Sequence, residues 1–584
     1  MLPPLFQMDD YETCIQNENL YCKLKVNLQG SKNNSEVWKY IEDSIQDVYK
    51  FRRDILWRNL CIPKYTAYNN QSIKEYSYAL INKEIRHLNL TSSADVMICT
   101  NGIITRSYFD YYVLIAVILY GFLVAFSTLL DVRSKNIQEG DRTLRLFSLR
   151  YNWQQRTHSA KNEDNKKLTS MQGFRFYTTI LLLLTHTKLY YSLSYYKNPA
   201  SIEKMLATPL FITSSHLETF LVLIFFVISS WLLTNQICNI REAHGKFTLK
   251  QVFLIIINRY FRLVSTVIVL ITLLNTSWFH YFVGPNNFDI MNFHLLGCKK
   301  NWHATILFFN NIYDIKDMCV GTTWYLSADF QMYVAHVMVL YISFKYNFNL
   351  KKVFLSLLFI YYTVYGLMIY INDTDLIFKT FIRNFEYGKL LVSHHFNVLY
   401  LSTYSIWLSS WVGMILGSCY FKICRKGFSP NNVAIKFSIP LFFILTLMAI
   451  GLTLLTFRGI TSAILGPLVK LFFASGIGMG ILGMSQNLGG MMKKIFEWKP
   501  AVTLSNFTFC IYLCQISICF MKPSNSLVEF GIWTLAVEFF KNVLYSISIG
   551  ILFTLTVEEP LMRIQKIVLP QVSKSAVKNK KKSN

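Results

Sequence analysis

Apolar residues occur in long blocks along the chain, and polar, often basic, segments separate them. A typical block has about the 20 residues that a helix needs to cross a hydrocarbon core ~30 Å thick. A block such as VLIAVILYGFLVAFSTLL lacks the period-two alternation of outer-membrane barrel strands. The pattern therefore predicts an all-α, polytopic bundle of about eleven transmembrane helices, at residues 108–131, 174–195, 211–234, 252–274, 324–344, 353–371, 403–421, 437–457, 461–485, 504–521 and 533–556.

Residues 1–106 differ from the rest of the chain, because they are polar and contain no long apolar block. Glycosylation sequons begin at Asn33, Asn70 and Asn89. Sequons together with an even number of cysteines indicate an oxidising, extracytoplasmic compartment. We therefore expect a small external domain with two disulfides, whose pairing the sequence leaves open, formed by Cys14, Cys22, Cys61 and Cys99. The alternative is a cytosolic tail with four free thiols.

The basic loops set the orientation of the predicted helices. The loop 132–172 is expected to be cytosolic by the positive-inside rule, because it contains Arg133, Lys135, Arg142, Arg145, Arg150, Arg156, Lys161, Lys166 and Lys167. Alternation then places the N-terminus outside, the C-terminal tail inside and the loop 275–323 outside. A third disulfide, between Cys298 and Cys319, is expected in that outer loop.

We accordingly divide the chain into four parts: the external domain 1–106, a first transmembrane helix with its basic loop at 107–172, a transmembrane domain at 173–560 and a basic tail at 561–584. The start, MLPPLFQ, lacks the basic and apolar regions of a signal peptide, so we expect the true start to lie upstream. The end, KKSN, has the dilysine arrangement of an endoplasmic reticulum retrieval signal. A lysine-rich tail is also typical of attraction to anionic lipid, so the plasma membrane and the endoplasmic reticulum both stay open.

Composition and charge narrow the function classes. The chain has 584 residues, 53% hydrophobic and 16% charged, with a net charge of +25. Because the basic residues lie between apolar blocks rather than on one soluble face, we expect membrane lipids and no nucleic acid as partners. The sequence shows no metal-ligand spacing and no phosphate-cradling glycine loop, so we expect no metal.

The second apolar block, GFRFYTTILLLLTHTKLYY, carries two polar residues that share one helix face. His186 follows Arg175 by eleven residues, which is ~1100° of rotation and a rise of about 16 Å. Arg175 then lies at the cytosolic boundary and His186 near the middle of the bilayer. A buried imidazole is costly unless it faces the bundle interior or a wet cavity. Helix geometry alone leaves a functional and a structural histidine equally open.

The fourth block opens with NRYFRL, which places Arg259 and Arg262 on one face, about two turns inside the cytosolic boundary. Two fixed guanidinium groups there suit phosphate binding, although arginines also snorkel to lipid headgroups. Asp329 and Glu218 are further intramembrane candidates, each either a polar packing group or part of a cavity. Asp329 is expected near the outer face, where it is also open to solvation.

The spacing R-x10-H from Arg175 to His186, followed by R-x-x-R at Arg259 and Arg262, resembles the membrane acyltransferase type 3 family. Further segments are similar to its animal branch, named for nose resistant to fluoxetine: DDYETCIQNENLYC, LRLFSLRYNWQQ, CKKNWHATILFFNNIYDIKDMCVGTTWYLSADFQMY, LSNFTFCIYL and the EEP at Glu558–Pro560. The resemblance covers nearly the whole chain.

The resemblance implies transfer of an acyl group across or within the membrane. His186 would act as general base on a lipid, a small hydrophobic molecule or another hydroxyl-bearing acceptor. Arg175, Arg259 and Arg262 would hold an acyl-coenzyme A donor that enters from the cytosol. This agrees with the orientation obtained above from the basic loops.

The sequence also departs from the family pattern. Glu218 stands where an Asp is expected, and Ser229-Ser230 where a Ser-Gly pair is expected. Val264-Ser265 replaces a Pro, Ile406 an Arg and Gln515 a common His. These changes leave a second function open, a non-catalytic membrane protein that transports or traffics lipids or small hydrophobic molecules.

Overall fold

The computed structural model describes residues 2–30, 36–66, 69–133, 144–158, 166–282, 284, 288–379, 393–426, 433–521 and 526–570. Three predictions fall outside these ranges: the sequon at Asn33, part of the basic loop, and the lysines of the C-terminal tail. The sequon at Asn89 lies on an exposed residue with a left-handed backbone, φ 54°, and Asn70 begins a helix.

Each of the eleven apolar blocks corresponds to a helix in the described chain. We number them α1 (Tyr108–Arg133), α2 (Thr169–Ser192), α3 (Pro209–His244), α4 (Leu249–Leu274), α5 (Trp324–Lys345), α6 (Leu350–Ile371), α7 (Thr403–Lys426), α8 (Ser438–Thr453), α9 (Gly459–Ser485), α10 (Thr508–Phe520) and α11 (Ile532–Phe553). Shorter helices include Leu149–Thr157, Pro199–Leu206, Phe288–Ile306, Gly490–Phe496, Lys499–Leu504 and Glu559–Val568.

Eight helices of the described chain are long and apolar enough to cross a membrane, some of them together with the short helices that continue them. The other three are α2, α5 and α8. Helix α8 has only 16 residues, whereas α2 and α5 are interrupted by polar and charged side chains such as Arg175 and Asp329. The predicted all-α, multi-pass bundle is confirmed.

The N-terminal domain contains a four-stranded sheet, which the sequence analysis did not predict. Its strands are β1 (Phe6–Met8), β2 (Leu20–Gly30), β3 (Ile55–Ile62) and β4 (Leu90–Thr100), in the order β1-β3-β2-β4. Strand β1 pairs parallel to β3, and β2 pairs antiparallel to β3 and β4. Helices Glu36–Gln46 and Asn70–Ile85 contribute to the apolar core beside the sheet, which includes Val26, Ile41, Leu56, Ile81 and Ile85.

Two disulfides cross-link this domain. Cys14 pairs with Cys61, which joins the helix Tyr11–Gln16 to β3. Cys22 pairs with Cys99, directly across the β2–β4 ladder. A third disulfide joins Cys298 to Cys319 in the segment before α5. The structure therefore selects one of the pairings that the sequence left open.

The N-terminal domain packs on one end of the bundle, which we call the domain face. Arg53 donates from Nη2 to both carboxylate oxygens of Glu203, at 2.8 and 3.0 Å. The backbone N–H of Phe51 donates to the same carboxylate at 3.0 Å. The ring of Phe6 stacks on Tyr195, with centroids 4.9 Å apart. These contacts hold the domain over the ends of α2 and α3, because Tyr195 and Glu203 lie in the segment that connects them.

The other end of the bundle, which we call the opposite face, is closed by the short helix Leu149–Thr157. Arg156 of that helix forms ion pairs with Glu558, at 2.7 Å, and with Glu559. The side-chain amide of Asn152 donates to the carbonyl of Leu555 at 2.9 Å. The residue that directly follows LRLFSLRYNWQQ therefore contacts the late EEP, and Asn152 of that segment contacts Leu555 just before it.

Candidate functional site

Helix α2 connects the two parts of the candidate site. It runs without a break from Thr169 on the opposite face to Ser192 near the domain face. Arg175 therefore lies about 16 Å along the axis from His186 and on the same side of the helix. Helices α3, α9, α10 and α11 all pack on α2, so both polar side chains face other helices rather than lipid.

The three predicted arginines meet in one group, although they come from two helices. The charges of Arg175, Arg259 and Arg262 act on one another. Arg259 donates from Nη2 to the Oδ2 of Asp329 at 2.5 Å, and its guanidinium lies 5.1 Å from the ring centre of Tyr333. We call this group, together with Tyr325 of α5, the arginine recess.

Asp329 is 3% exposed, so the expectation that it is open to solvation near the outer face was wrong. It is buried because α5 packs against α4 and presents the carboxylate to Arg259. Of the three arginines, Arg259 is the one that forms an ion pair with Asp329. The recess therefore keeps positive charge for an anionic ligand.

Arg262 differs from an arginine on an outer surface. Arg262 is exposed, and the charges of Arg259, Glu558 and Arg156 act on its guanidinium. The guanidinium therefore lies among charged side chains and is still accessible from outside the protein. Such a position leaves its donors available to a ligand, whereas an arginine buried in packing would have to be satisfied by the protein.

His186 lines a cavity of about 180 Å³ that lies among α2, α3, α5 and α10. The Nδ1 atom of its imidazole is buried and has no hydrogen-bond partner in the described chain. Gln515 of α10 is the polar neighbour of the ring. Gln515 is fully buried, and neither atom of its amide makes a hydrogen bond of ordinary geometry in the described part. Unpaired buried polar atoms are costly, so this pair is suited to a ligand or water that bonds to both.

Glu218, the sixth candidate, lines the same cavity and is held by Lys188 of α2 in an ion pair. The ammonium of Lys188 also donates to Ser214 at 3.1 Å and lies 4.0 Å from the ring centre of Phe211. Lys188 follows His186 by two residues. The Cα atom of Lys188 therefore lies about 3 Å nearer the domain face than that of His186.

Two tyrosines lie between the arginine recess and the cavity. Tyr325 carries electrostatic contacts with Arg175 and Asp329, and its ring centre is 5.4 Å from that of Tyr512. Tyr512 lines the cavity and donates its hydroxyl to the carbonyl of Thr322 at 2.8 Å. The two parts of the site are therefore adjacent, with one aromatic pair between them.

Sequence reasoning missed Lys188, Tyr512 and the position of Gln515 beside His186. Lys188 had a signal, because a second charge in the α2 block is as costly as the first and requires a partner. Gln515 was noted as a departure, yet no periodicity relates α10 to α2. Its proximity to His186 comes from tertiary packing alone. Within the described residues, no group of three or more His, Cys, Asp or Glu side chains could hold a metal ion.

A comparison with protein families agrees with this geometry. A family model described as an acyltransferase domain matches residues 168–557, more than half of the chain. The matched region contains the arginine recess, His186 and the cavity helices. No match was found among curated proteins or among solved structures. The chain belongs to the acyltransferase type 3 family.

Proposed function

We propose that this protein transfers an acyl group from an acyl-coenzyme A donor to the hydroxyl group of a lipid or other hydroxyl-bearing acceptor within the membrane. The observation that carries the proposal is the buried Nδ1 of His186, which has no hydrogen-bond partner in the described chain, in a side chain that lines a cavity and shares α2 with Arg175 of the arginine recess.

In this proposal His186 is the general base. It takes the proton from the acceptor hydroxyl as the oxygen attacks the thioester carbonyl. The carbon–sulfur bond breaks, the ester forms, and the imidazolium returns the proton to the departing thiolate, which leaves as coenzyme A. Gln515 would fix the orientation of the ring and leave the reacting nitrogen directed at the hydroxyl.

The arginine recess would bind the phosphates of the donor. Guanidinium groups bind phosphate oxygens through paired, charge-assisted hydrogen bonds. The pantetheine arm has about the length of five extended residues, roughly 17 Å. This reach matches the rise of about 16 Å between Arg175 and His186 on α2, so a donor phosphate in the recess would bring the thioester to the imidazole.

We also propose the animal branch named for nose resistant to fluoxetine, which the N-terminal cysteine domain supports. The basic loops favour a cytosolic opposite face and an extracytoplasmic domain face, in the plasma membrane or the endoplasmic reticulum. Acyl-coenzyme A would then enter on the side of the arginine recess.

The test compares wild type with His186→Ala and His186→Gln. Each protein is purified into lipid vesicles with a mixture of acyl-coenzyme A donors, and the release of coenzyme A thiol is followed. We expect both variants to lose about 10²- to 10⁴-fold in rate, because glutamine keeps a polar group but cannot act as a base. His158→Ala is the control, since His158 is exposed on the opposite face.

Profiling the lipids and metabolites of cells that express wild type or His186→Ala identifies the product. Full biological rescue by His186→Ala would contradict catalysis and favour the second function, transport or trafficking of lipids. Correct glycosylation and a single peak in size-exclusion chromatography show that a loss of activity does not arise from misfolding.

A further inference from the structure

Among the described residues, the lysines and the glutamate that line the cavity all take part in ion pairs. Lys188 is paired with Glu218, and Lys379 is paired with Asp375 at 2.7 Å. Both lysines line the cavity, and both have a carboxylate partner. No net charge is therefore left over from these two pairs for an ionised ligand, in contrast to the arginine recess.

Most of the remaining wall is apolar, with Leu182 and Leu189 from α2, Val222 from α3 and Ile516 from α10, and polar side chains such as Thr185, His216 and Tyr512 lie between them. A ligand that fills this space gains free energy by removing apolar surface from water. A ligand that brings a charge must be paired, because an unpaired charge inside a protein is costly. A carboxylate or phosphate here would have to displace Glu218 from Lys188.

We propose that the cavity takes an uncharged alcohol with an apolar body, and that the Lys188–Glu218 pair excludes anionic acceptors. The identification of this alcohol as the acceptor rests on the proposed function. The binding preference itself follows from the cavity and is measured independently of acyl transfer.

The position of the pair explains how it acts. Lys188, Glu218 and His186 line one cavity, so a ligand that fills this cavity meets the ion pair as well as the imidazole. Tyr49 of the N-terminal domain lines the same cavity, so the entrance borders this domain. Ser215 and Thr219 of α3 also line the cavity, and they offer hydroxyl groups to a neutral polar head.

The experiment uses two photoreactive probes that differ in one group. One is decan-1-ol with a mid-chain diazirine, and the other is 10-hydroxydecanoate with the same diazirine. The full-length protein in phosphatidylcholine vesicles is irradiated with each probe, and labelled peptides are quantified by mass spectrometry. Labelling of cavity peptides from α2 and α3 is divided by labelling of α1, which is largely unburied and reports the concentration of probe in the lipid.

Wild type should label in the cavity with the alcohol, with protection by excess decan-1-ol, and about tenfold less with the carboxylate. Glu218→Gln leaves Lys188 without its carboxylate and should raise carboxylate labelling about tenfold. Lys188→Gln/Glu218→Gln removes both charges and should behave as wild type. Glu497→Gln, in a pair with Lys493 on the opposite face, is the matched control and should change nothing.

Equal labelling of the wild-type cavity by both probes, or labelling confined to α1, would overturn the proposal. Unchanged carboxylate labelling of folded Glu218→Gln would do the same. If Glu218→Gln does not fold, Lys188→Gln gives the reciprocal test, in which a 10-aminodecan-1-ol probe replaces the carboxylate. The same samples assayed with His186→Ala separate the two proposals, since the alcohol should still bind when acyl transfer is lost.

Discussion

A close helix contact in the bundle gives a prediction whose size follows from the structure. Helix α7 packs against α3 through Gly413 and Gly417, which are four residues apart on one face. A Cβ atom at Gly413 would lie 2.4 Å from the carbonyl oxygen of Val227, and one at Gly417 would lie 2.7 Å from that of Trp231. Both obstacles are backbone atoms, which no rotamer change can move. Ordinary contact begins at 3.4 Å, so Gly413→Ala must separate the helices by about 1 Å and Gly417→Ala by about 0.7 Å.

We expect each substitution to lower the free energy of unfolding by about 1–3 kcal/mol. Overpacking costs about 1–3 kcal/mol, and weakened Cα–H···O contacts add about 0.5–1 kcal/mol each. The higher helix propensity of alanine relative to glycine offsets about 1 kcal/mol of this loss. The midpoint of thermal unfolding in detergent, followed by size-exclusion chromatography, should fall by about 1–3 °C.

The matched control is Gly121→Ala in α1, where a Cβ atom meets nothing within 4 Å. It should leave the midpoint unchanged or raise it. The double variant Gly413→Ala/Gly417→Ala should lose less than the sum of the single losses, because one separation relieves both clashes. Midpoints for Gly413→Ala and Gly417→Ala equal to that of Gly121→Ala would refute the close-contact argument.

Two further predictions concern the donor and the N-terminal domain. Arg262→Ala should weaken acyl-coenzyme A binding by about 10- to 100-fold with a smaller change in kcat, because one charge-assisted phosphate contact is worth about 1.5–3 kcal/mol. Arg106→Ala is the control, since the Arg106 guanidinium contacts Tyr281, away from the recess. An effect of Arg262→Ala on kcat alone would contradict the assigned role. Cys22→Ala/Cys99→Ala should destabilise the N-terminal domain by about 2–5 kcal/mol, since the Cys22–Cys99 disulfide closes a loop with a sequence separation of 77. Limited proteolysis measures this loss of stability, and a variant domain as resistant to the protease as wild type would exclude a stabilising cross-link.

The bundle was predictable because one physical signal dominates it. A block of about 20 apolar residues has few stable alternatives to a membrane helix, so the eleven helices follow from composition alone. The ends of the helices were less well predicted than their centres. Helix α3 extends to His244, ten residues beyond its apolar block. Ile237, Cys238 and Ile240 pack in the core of the bundle, and the helix ends at Gly245, which has a left-handed backbone.

The sheet of the N-terminal domain was missed although the sequence contained a signal for it. Strand β4 alternates buried and exposed positions from Leu90 to Asp95, which is the period of a half-buried strand. The low hydrophobicity of LTSSADVMICT concealed this alternation. The cysteine pairing, by contrast, depends on the register of β2 with β4, which spacing along the chain does not determine.

The candidate site was also predictable only in part: positions along one helix follow from the sequence, and contacts between helices do not. Arg175 and His186 share a helix, and Arg259 and Arg262 share another, so periodicity places each pair correctly. The meeting of Arg259 with Asp329 joins α4 to α5 across 70 residues. Such a contact depends on which helices are neighbours in the bundle, and hydropathy carries no information about neighbours.

Helices α2 and α5 are long enough to cross a membrane but fall outside the apolar criterion. They carry three of the six candidate residues, Arg175, His186 and Asp329. Charged side chains in lipid are costly, so a chain would keep such helices only where the polar groups meet partners or a ligand. The partners are visible for Lys188 in Glu218 and for Asp329 in Arg259. His186 lacks one at Nδ1. On α2, a protein partner therefore accounts for Lys188, whereas Arg175 has no ion pair and Nδ1 of His186 no hydrogen bond within the described chain, and these are the positions where we propose that the donor and the acceptor bind.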